Sequence, residues 1–132
     1  MDRTIKIVAA VFALVIIACL AVFFSGAPAH SGADQIPGPI YYFYGAECPH
    51  CHNIEPFIHN LTQKYPGADI RILEVWHNQT NQVIYSQANA AAGLSTPPGV
   101  PEVISGRSVL VGERDIPAKM EALVQDYLKK KP

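Results

Sequence analysis

The sequence predicts an α/β domain in the order β-α-β-α-β-β-α, a four-stranded mixed sheet flanked by helices, set behind an amino-terminal transmembrane helix. Three observations predict it. An unbroken apolar run spans Ile7 to Phe24; β-branched and aromatic runs then alternate with segments of helical apolar spacing; and Cys48 and Cys51 fall where the first strand gives way to the first helix.

The apolar run, about 18 residues at roughly 1.5 Å each, covers about 27 Å, close to the thickness of a bilayer's hydrocarbon core. Arg3 and Lys6 precede it and no Lys or Arg follows until Lys64. That asymmetry places the amino terminus in the cytoplasm and the remainder outside. The expected organisation is a signal-anchor over residues 1–26, a linker over 27–38 rich in Gly, Pro, Ala and Ser, and one domain over 39–132. Ala27-Pro28-Ala29 offers small residues for a signal peptidase cut after Ala29, but signal-peptide apolar cores usually run ~7–15 residues, so a retained anchor through residues 7–24 is favoured. Ile16-Ile17-Ala18-Cys19 resembles a lipoprotein box only faintly, since the apolar residues continue past Cys19, and that cysteine reads as a packing or lipid-facing residue. A net charge of −1 with 16% charged and 49% hydrophobic residues argues against a nucleic-acid partner and against disorder.

Ile40 to Tyr44 (I-Y-Y-F-Y) reads as a buried strand that stops at Gly45. Ile54, Phe57, Ile58, Leu61 and Tyr65 then recur at helical spacing, giving a helix from Pro49 to Lys64, with Pro49 in the first turn where its missing N–H costs nothing and Pro56 as an interior kink. Tyr65-Pro66-Gly67 ends it. Ile70, Ile72, Leu73 and Val75 form a second strand, parallel to the first because the crossover is long. Asn78 to Ala92 places Val83, Ile84, Ala88, Ala91 and Ala92 on one helical face and ends at Gly93, a C-cap. Leu94 to Pro101 is a proline-dense loop. Glu102–Ile104 and Ser108–Val111 flank Ser105-Gly106-Arg107 as a tight hairpin, and a last helix, with Asp115 as its expected N-cap, carries Ile116, Met120, Leu123, Val124, Tyr127 and Leu128 on one stripe.

By itself, Gly45-Ala46-Glu47-Cys48-Pro49-His50-Cys51-His52 allows three chemistries: a thiol–disulfide pair, a c-type haem anchor (C-x-x-C-H), or part of a metal site. Two cysteines so close in sequence close too short a loop to be a useful staple, which favours redox or ligand chemistry. A thiolate is the reacting species, and a helix amino terminus stabilises one with free N–H groups and the positive end of the dipole. Cys48 receives that field, and Cys51, one turn further in, would attack a mixed disulfide from inside.

The element order, with C-x-x-C at the first strand–helix junction and X-Pro before the third strand, resembles the thioredoxin fold. Pro56, five residues after Cys51, matches the family's helix-kinking proline, and Val100-Pro101 matches its cis-proline beside the disulfide. The stretch from Val100 to Ile116, with Gly112 and Asp115, is similar to the carboxy-terminal half of glutaredoxins, whereas Cys48-Pro49-His50-Cys51 with Val before the proline resembles the periplasmic disulfide oxidases. The chain departs from these relatives in three ways. The span from Pro66 to Val100 is too short for the oxidases' helical insertion; Tyr42 stands where thioredoxins carry a buried acid; and Gly99 and the absence of a basic residue between Ile40 and Cys48 break the glutathione-binding pattern.

The resemblance implies a membrane-tethered, extracytoplasmic thiol–disulfide oxidoreductase acting through Cys48 and Cys51, with Pro49 and His50 between them. His50 is expected to donate to the Cys48 sulfur or add positive charge, which favours the oxidising direction. With Tyr42 in the acid's place, Glu47 is the candidate proton carrier. Val100 and Pro101 would bind a substrate backbone as a short strand, so the expected partners are protein thiols and disulfides, together with a redox partner that a single-pass anchor suggests lies in the membrane. No cofactor and no metal is expected.

Rival readings are a c-type haem protein using Cys48, Cys51 and His52, a glutaredoxin-like reductase, zinc or copper carriage by the cysteines with His50, His52, His59 or His77, and a non-enzymatic adaptor binding through Val100 and Pro101. Met120, the only downstream methionine for a haem, lies on the apolar stripe of the last helix, and zinc normally takes four protein ligands. Asn60 and Asn78 stand in glycosylation sequons, and Trp76 reads as a packing residue.

Overall fold

The structure, a computed structural model, describes residues 38–132 and, before them, Ile7 alone. Apart from Ile7, the anchor expected over 7–24, Cys19 and the linker up to residue 37 lie outside the described residues. Among those described, no helix is long and apolar enough to cross a membrane.

The elements are β1 (Ile40–Tyr44), α1 (Pro49–Lys64), β2 (Ile70–Glu74), α2 (Gln79–Ala92), β3 (Glu102–Ser105), β4 (Ser108–Val111) and α3 (Gly112–Lys130). The sheet order is β2-β1-β3-β4. β1 runs parallel to β2 with Ile40 opposite Ile70, and antiparallel to β3 with Tyr42 opposite Val103. β3 and β4 form the expected hairpin. This is the thioredoxin-like arrangement.

Side-chain alternation along β1 supplies two cores. Ile40 and Tyr42 face α1 and α3, where Ile54, Ile58, Leu61, Ile116, Met120, Val124 and Tyr127 close over them with Val103. Phe43 faces the other way with Val75 and Ile104, under Ile84, Tyr85, Ala88 and Ala92 of α2. An interior proline costs a helix about 3 kcal/mol. Pro56 is nevertheless held inside α1, because burying Ile54, Ile58 and Leu61 contributes about 1.5–3 kcal/mol each.

Two sequence expectations need correction. Asp115 is not the N-cap of the last helix, which starts at Gly112 with Val111 in the capping position and no side-chain cap. Gly112 adopts φ 87°, a left-handed conformation that lets the chain turn from β4 into the helix with no loop between them, and Asp115 joins Glu113 in the first turn. On α2 the buried face is rotated from the expected one: Val83 and Ala91 are exposed, while Tyr85 and Asn89 turn inward. Trp76 packs as expected, its ring laid over Gly45, while staying half exposed.

Candidate active site

β1 delivers the chain to the site and a tight turn redirects it. The Cys48 N–H donates to the Gly45 carbonyl at 3.1 Å, closing the turn through Ala46 and Glu47. Gly45 is required there, since a Cβ would lie 2.3 Å from two ring carbons of Trp76. Beneath the turn, the Glu74 carboxylate accepts the backbone N–H groups of Trp76, His77 and Asn78 at 2.7–3.0 Å and lies 3.4 Å from that of Ala46. The end of β2 is thereby tied to the start of the reactive loop.

Cys48 is extended (φ −77°, ψ 112°) and is itself the N-cap of α1, with Pro49 opening the helix. Its sulfur accepts the Cys51 N–H at 3.3 Å, and the thiol donates to the Val100 carbonyl at 3.8 Å. Both cysteines are free thiols and both are almost fully buried. Burial, reinforced by the hydrogen bond with Cys48, pushes the Cys51 thiol up to about 12, so Cys51 holds its proton at neutral pH. The Val100–Pro101 peptide is cis, as expected, and Pro101 is buried with its carbonyl accepting the Gly112 N–H at 2.9 Å.

One sulfur therefore sits at the positive end of a helix with a backbone strip beside it, and a second, still protonated, sits one turn inward. It is a thiol–disulfide oxidoreductase active site. The fold is similar to that of solved glutaredoxins: one from wheat at 23% identity (TM-score 0.44, 68% of this chain and 84% of that one), and the holo form of one from Populus tremula x tremuloides at 20% (TM-score 0.45, 70% and 80%). No family model matches the chain and no curated protein does.

The oxidoreductase site brings some expected residues to the sulfurs and gives others different partners. His50 Nδ1 lies 3.2 Å from Glu113 Oε2 on α3 rather than on the Cys48 sulfur, and Glu113 also accepts from Asn53 at 2.8 Å. These contacts, Asn53 first and His50 second, hold the Glu113 carboxyl below the usual carboxylate range. Glu47 is exposed and faces His77, 2.8 Å from its Nε2. Tyr42 is buried beneath the pair, and burial keeps its hydroxyl well above the ordinary phenol range. A cavity of about 540 Å³ opens behind Cys51, lined by Tyr42, Tyr44, His52, Pro56 and Ile72. On the Cys48 side, His50, Val100, Pro101, Gly112, Glu113 and Asp115 line a shallow groove.

Met120 is fully buried in the core between α3 and the sheet, packed among apolar side chains. Among the described residues, no group of three or more His, Cys, Asp or Glu is placed to hold a metal ion. Sequence reasoning missed Glu113, the pairing of His77 with Glu47, and Glu102, an acid fully buried in β3 directly after Pro101. The available signal was an acid between Pro101 and Val103-Ile104, in a strand with neighbours on both sides.

Proposed function

We propose that this chain is a membrane-tethered, extracytoplasmic oxidoreductase that exchanges disulfides with protein substrates, Cys48 being the attacking sulfur and Cys51 the resolving one. The observation that carries the reading is the Cys48 sulfur capping α1 beside the Val100 carbonyl. In the reducing direction the Cys48 thiolate attacks a substrate disulfide and expels one substrate sulfur as a thiolate, which takes up a proton. Cys51 then loses its proton and attacks the Cys48 sulfur of the mixed disulfide, releasing the second substrate thiolate and leaving the Cys48–Cys51 disulfide. Oxidation of a substrate dithiol is the same sequence reversed. Because Cys51 gives up a proton held to about 12, its deprotonation needs a neighbouring acceptor. Solvent in the cavity between Cys51, Tyr42 and His52 meets that need more directly than Glu47, which is engaged by His77.

Val100 and Pro101 form one wall of the Cys48-side groove and are the segment assigned to the substrate backbone; recognition through main-chain groups leaves sequence preference broad. His50, with its partner Glu113, stands on the opposite wall and is assigned to the charge balance of the attacking sulfur. The anchor at 7–24, with Arg3 and Lys6 on its cytoplasmic side, would hold the domain at the outer membrane surface near a membrane redox partner. An equilibrium titration of the cysteine pair against glutathione tests the reading. A potential well above that of the glutathione pool supports the oxidising direction, one well below it supports a glutaredoxin-like reductase, and a pair that does not cycle overturns both.

A further inference from the structure

Glu102 opens β3 and lies on the α2 face of the sheet, opposite Phe43 of β1 and Val111 of β4, with no exposure to solvent. Its Oε2 accepts Asn89 Nδ2 at 3.1 Å, and the same nitrogen donates to the Tyr85 carbonyl at 3.0 Å, which uses both hydrogens of the amide. Two buried side-chain atoms in this cluster have no hydrogen-bond partner among the described residues: Glu102 Oε1 and Asn89 Oδ1. They are the remaining oxygen of the acid and the remaining oxygen of the amide that faces it. A carboxylate can donate to neither, so both would stay unsatisfied. A single proton on Oε1 serves both, because Oε1–H can donate to Oδ1 while Nδ2 donates to Oε2, closing an acid–amide ring.

No formal charge opposes a neutral acid here. From α2, Tyr85 and Asn89 face Glu102; from β1, Phe43, with Tyr41 stacked on it; from β4, Val111. Burial raises the Glu102 carboxyl above its ordinary range, with Asn89 and Tyr85 pulling the other way, and burial keeps the Tyr85 phenol protonated. The Tyr85 hydroxyl accepts the Gly99 N–H at 3.3 Å, and the Tyr85 carbonyl holds the Asn89 amide that faces Glu102. Residues 99 and 102 are thus both tied to α2, and the two residues between them are Val100, whose carbonyl meets the Cys48 thiol, and Pro101, whose carbonyl meets Gly112.

We propose that Glu102 is a positioning residue for disulfide exchange: as a neutral acid ringed with Asn89 and linked through Tyr85 to Gly99, it holds the Val100–Pro101 strip against Cys48. This rests on the function proposed above. Two measurements on the full chain in detergent micelles test it. Infrared difference spectra of wild type against Glu102→Gln at neutral pH should show a protonated-carboxyl band that the variant lacks. A difference showing only carboxylate bands overturns the proposal, whatever the activity. The second measurement is the rate of exchange with a peptide disulfide from neutral to alkaline pH. Glu102→Gln can form the same ring as an amide pair and should stay within about two-fold of wild type at neutral pH, while Glu102→Ala and Asn89→Ala fall about ten-fold. The ratio of wild type to Glu102→Gln should decline as the carboxyl ionises. A Gln variant as slow as Glu102→Ala, or a ratio that stays flat while the infrared band disappears, overturns the positioning role, and the Gln variant keeps this decidable if the alanine variants do not fold. A wild type that exchanges no disulfide overturns both this role and the proposed function, whereas normal wild-type exchange with either failure above overturns the role alone.

Discussion

The Cys48 sulfur accepts the backbone N–H of Cys51 at 3.3 Å, so the first residue of the reactive pair is also the cap of the helix that carries the second. The two sulfurs are unequal for that reason. Cys48 meets the Val100 carbonyl, while Cys51 lies one turn further into the helix and keeps its proton to about 12. Cys51→Ser should accumulate a mixed disulfide through Cys48 when offered an oxidised protein substrate, visible as an intact-mass adduct. Cys48→Ser should accumulate none and lose exchange by at least about a hundred-fold.

Glu47 and His77 meet at 2.8 Å on the exposed surface beside the reactive turn. The hydrogen bond and charge of Glu47 raise the His77 pKa above its ordinary 6.5. A raised folded value means that the pair's contribution is complete below about 6.5 and is lost as pH rises through the folded value. Imidazole resonances followed by NMR should titrate above the free-histidine value and return to it in Glu47→Gln. If Glu47 does not carry the Cys51 proton, the same variant should keep exchange within about two-fold of wild type.

Gly45 and Trp76 are matched by shape. An alanine Cβ at position 45 would meet the indole ring at 2.3 Å, so the ring must leave or the turn must shift. Overpacking of this kind costs about 1–3 kcal/mol. Trp76 is the only tryptophan, which makes its emission a direct reporter. Gly45→Ala should shift that emission to the red and lower the denaturant midpoint, whereas an unchanged spectrum would show that the ring does not rest on Gly45.

Glu102 gives stability its own pH dependence. Its folded pKa is raised above the ordinary 4.5, chiefly by burial, so the folded state keeps a proton that the unfolded chain releases. The stabilisation is therefore full below about 4.5 and is lost as pH rises from there through the folded value. Urea unfolding of wild type and Glu102→Gln across that range should show their difference changing in favour of the variant as pH rises. A constant difference would mean that the carboxyl titrates normally.

Local pattern made much of this fold legible. Ile40–Tyr44 and Pro49–Lys64 have the bounds their composition and spacing imply, because a central strand buried on both faces reads as a continuous apolar run and because Pro49 and Tyr65-Pro66-Gly67 punctuate the helix. The cysteines were legible for the same reason, being placed by those two elements. Contacts made across the fold were not legible. His50 meets Glu113 and Glu47 meets His77 only after the sheet is assembled, and nothing local marks either pair. The start of α3 was misplaced because Gly112 takes a left-handed φ that removes the loop Asp115 was expected to cap. Glu102 was hidden because an acid in a strand ordinarily faces water, and only the docking of α2 over β3 removes that option.

The hairpin acts as a gauge. Glu102 pairs with Val111, so the next residue of each strand outward, Pro101 and Gly112, meet through a single hydrogen bond at 2.9 Å. The two walls of the slot beside Cys48 are thereby spaced by a four-residue strand, and spreading them means unzipping the ladder that holds the sheet's edge. On the proposed reading, a client would have to offer a slender, unfurled stretch of polypeptide. On the same reading, a disulfide embedded in a helix or a rigid knot would first have to be loosened before Cys48 could reach it.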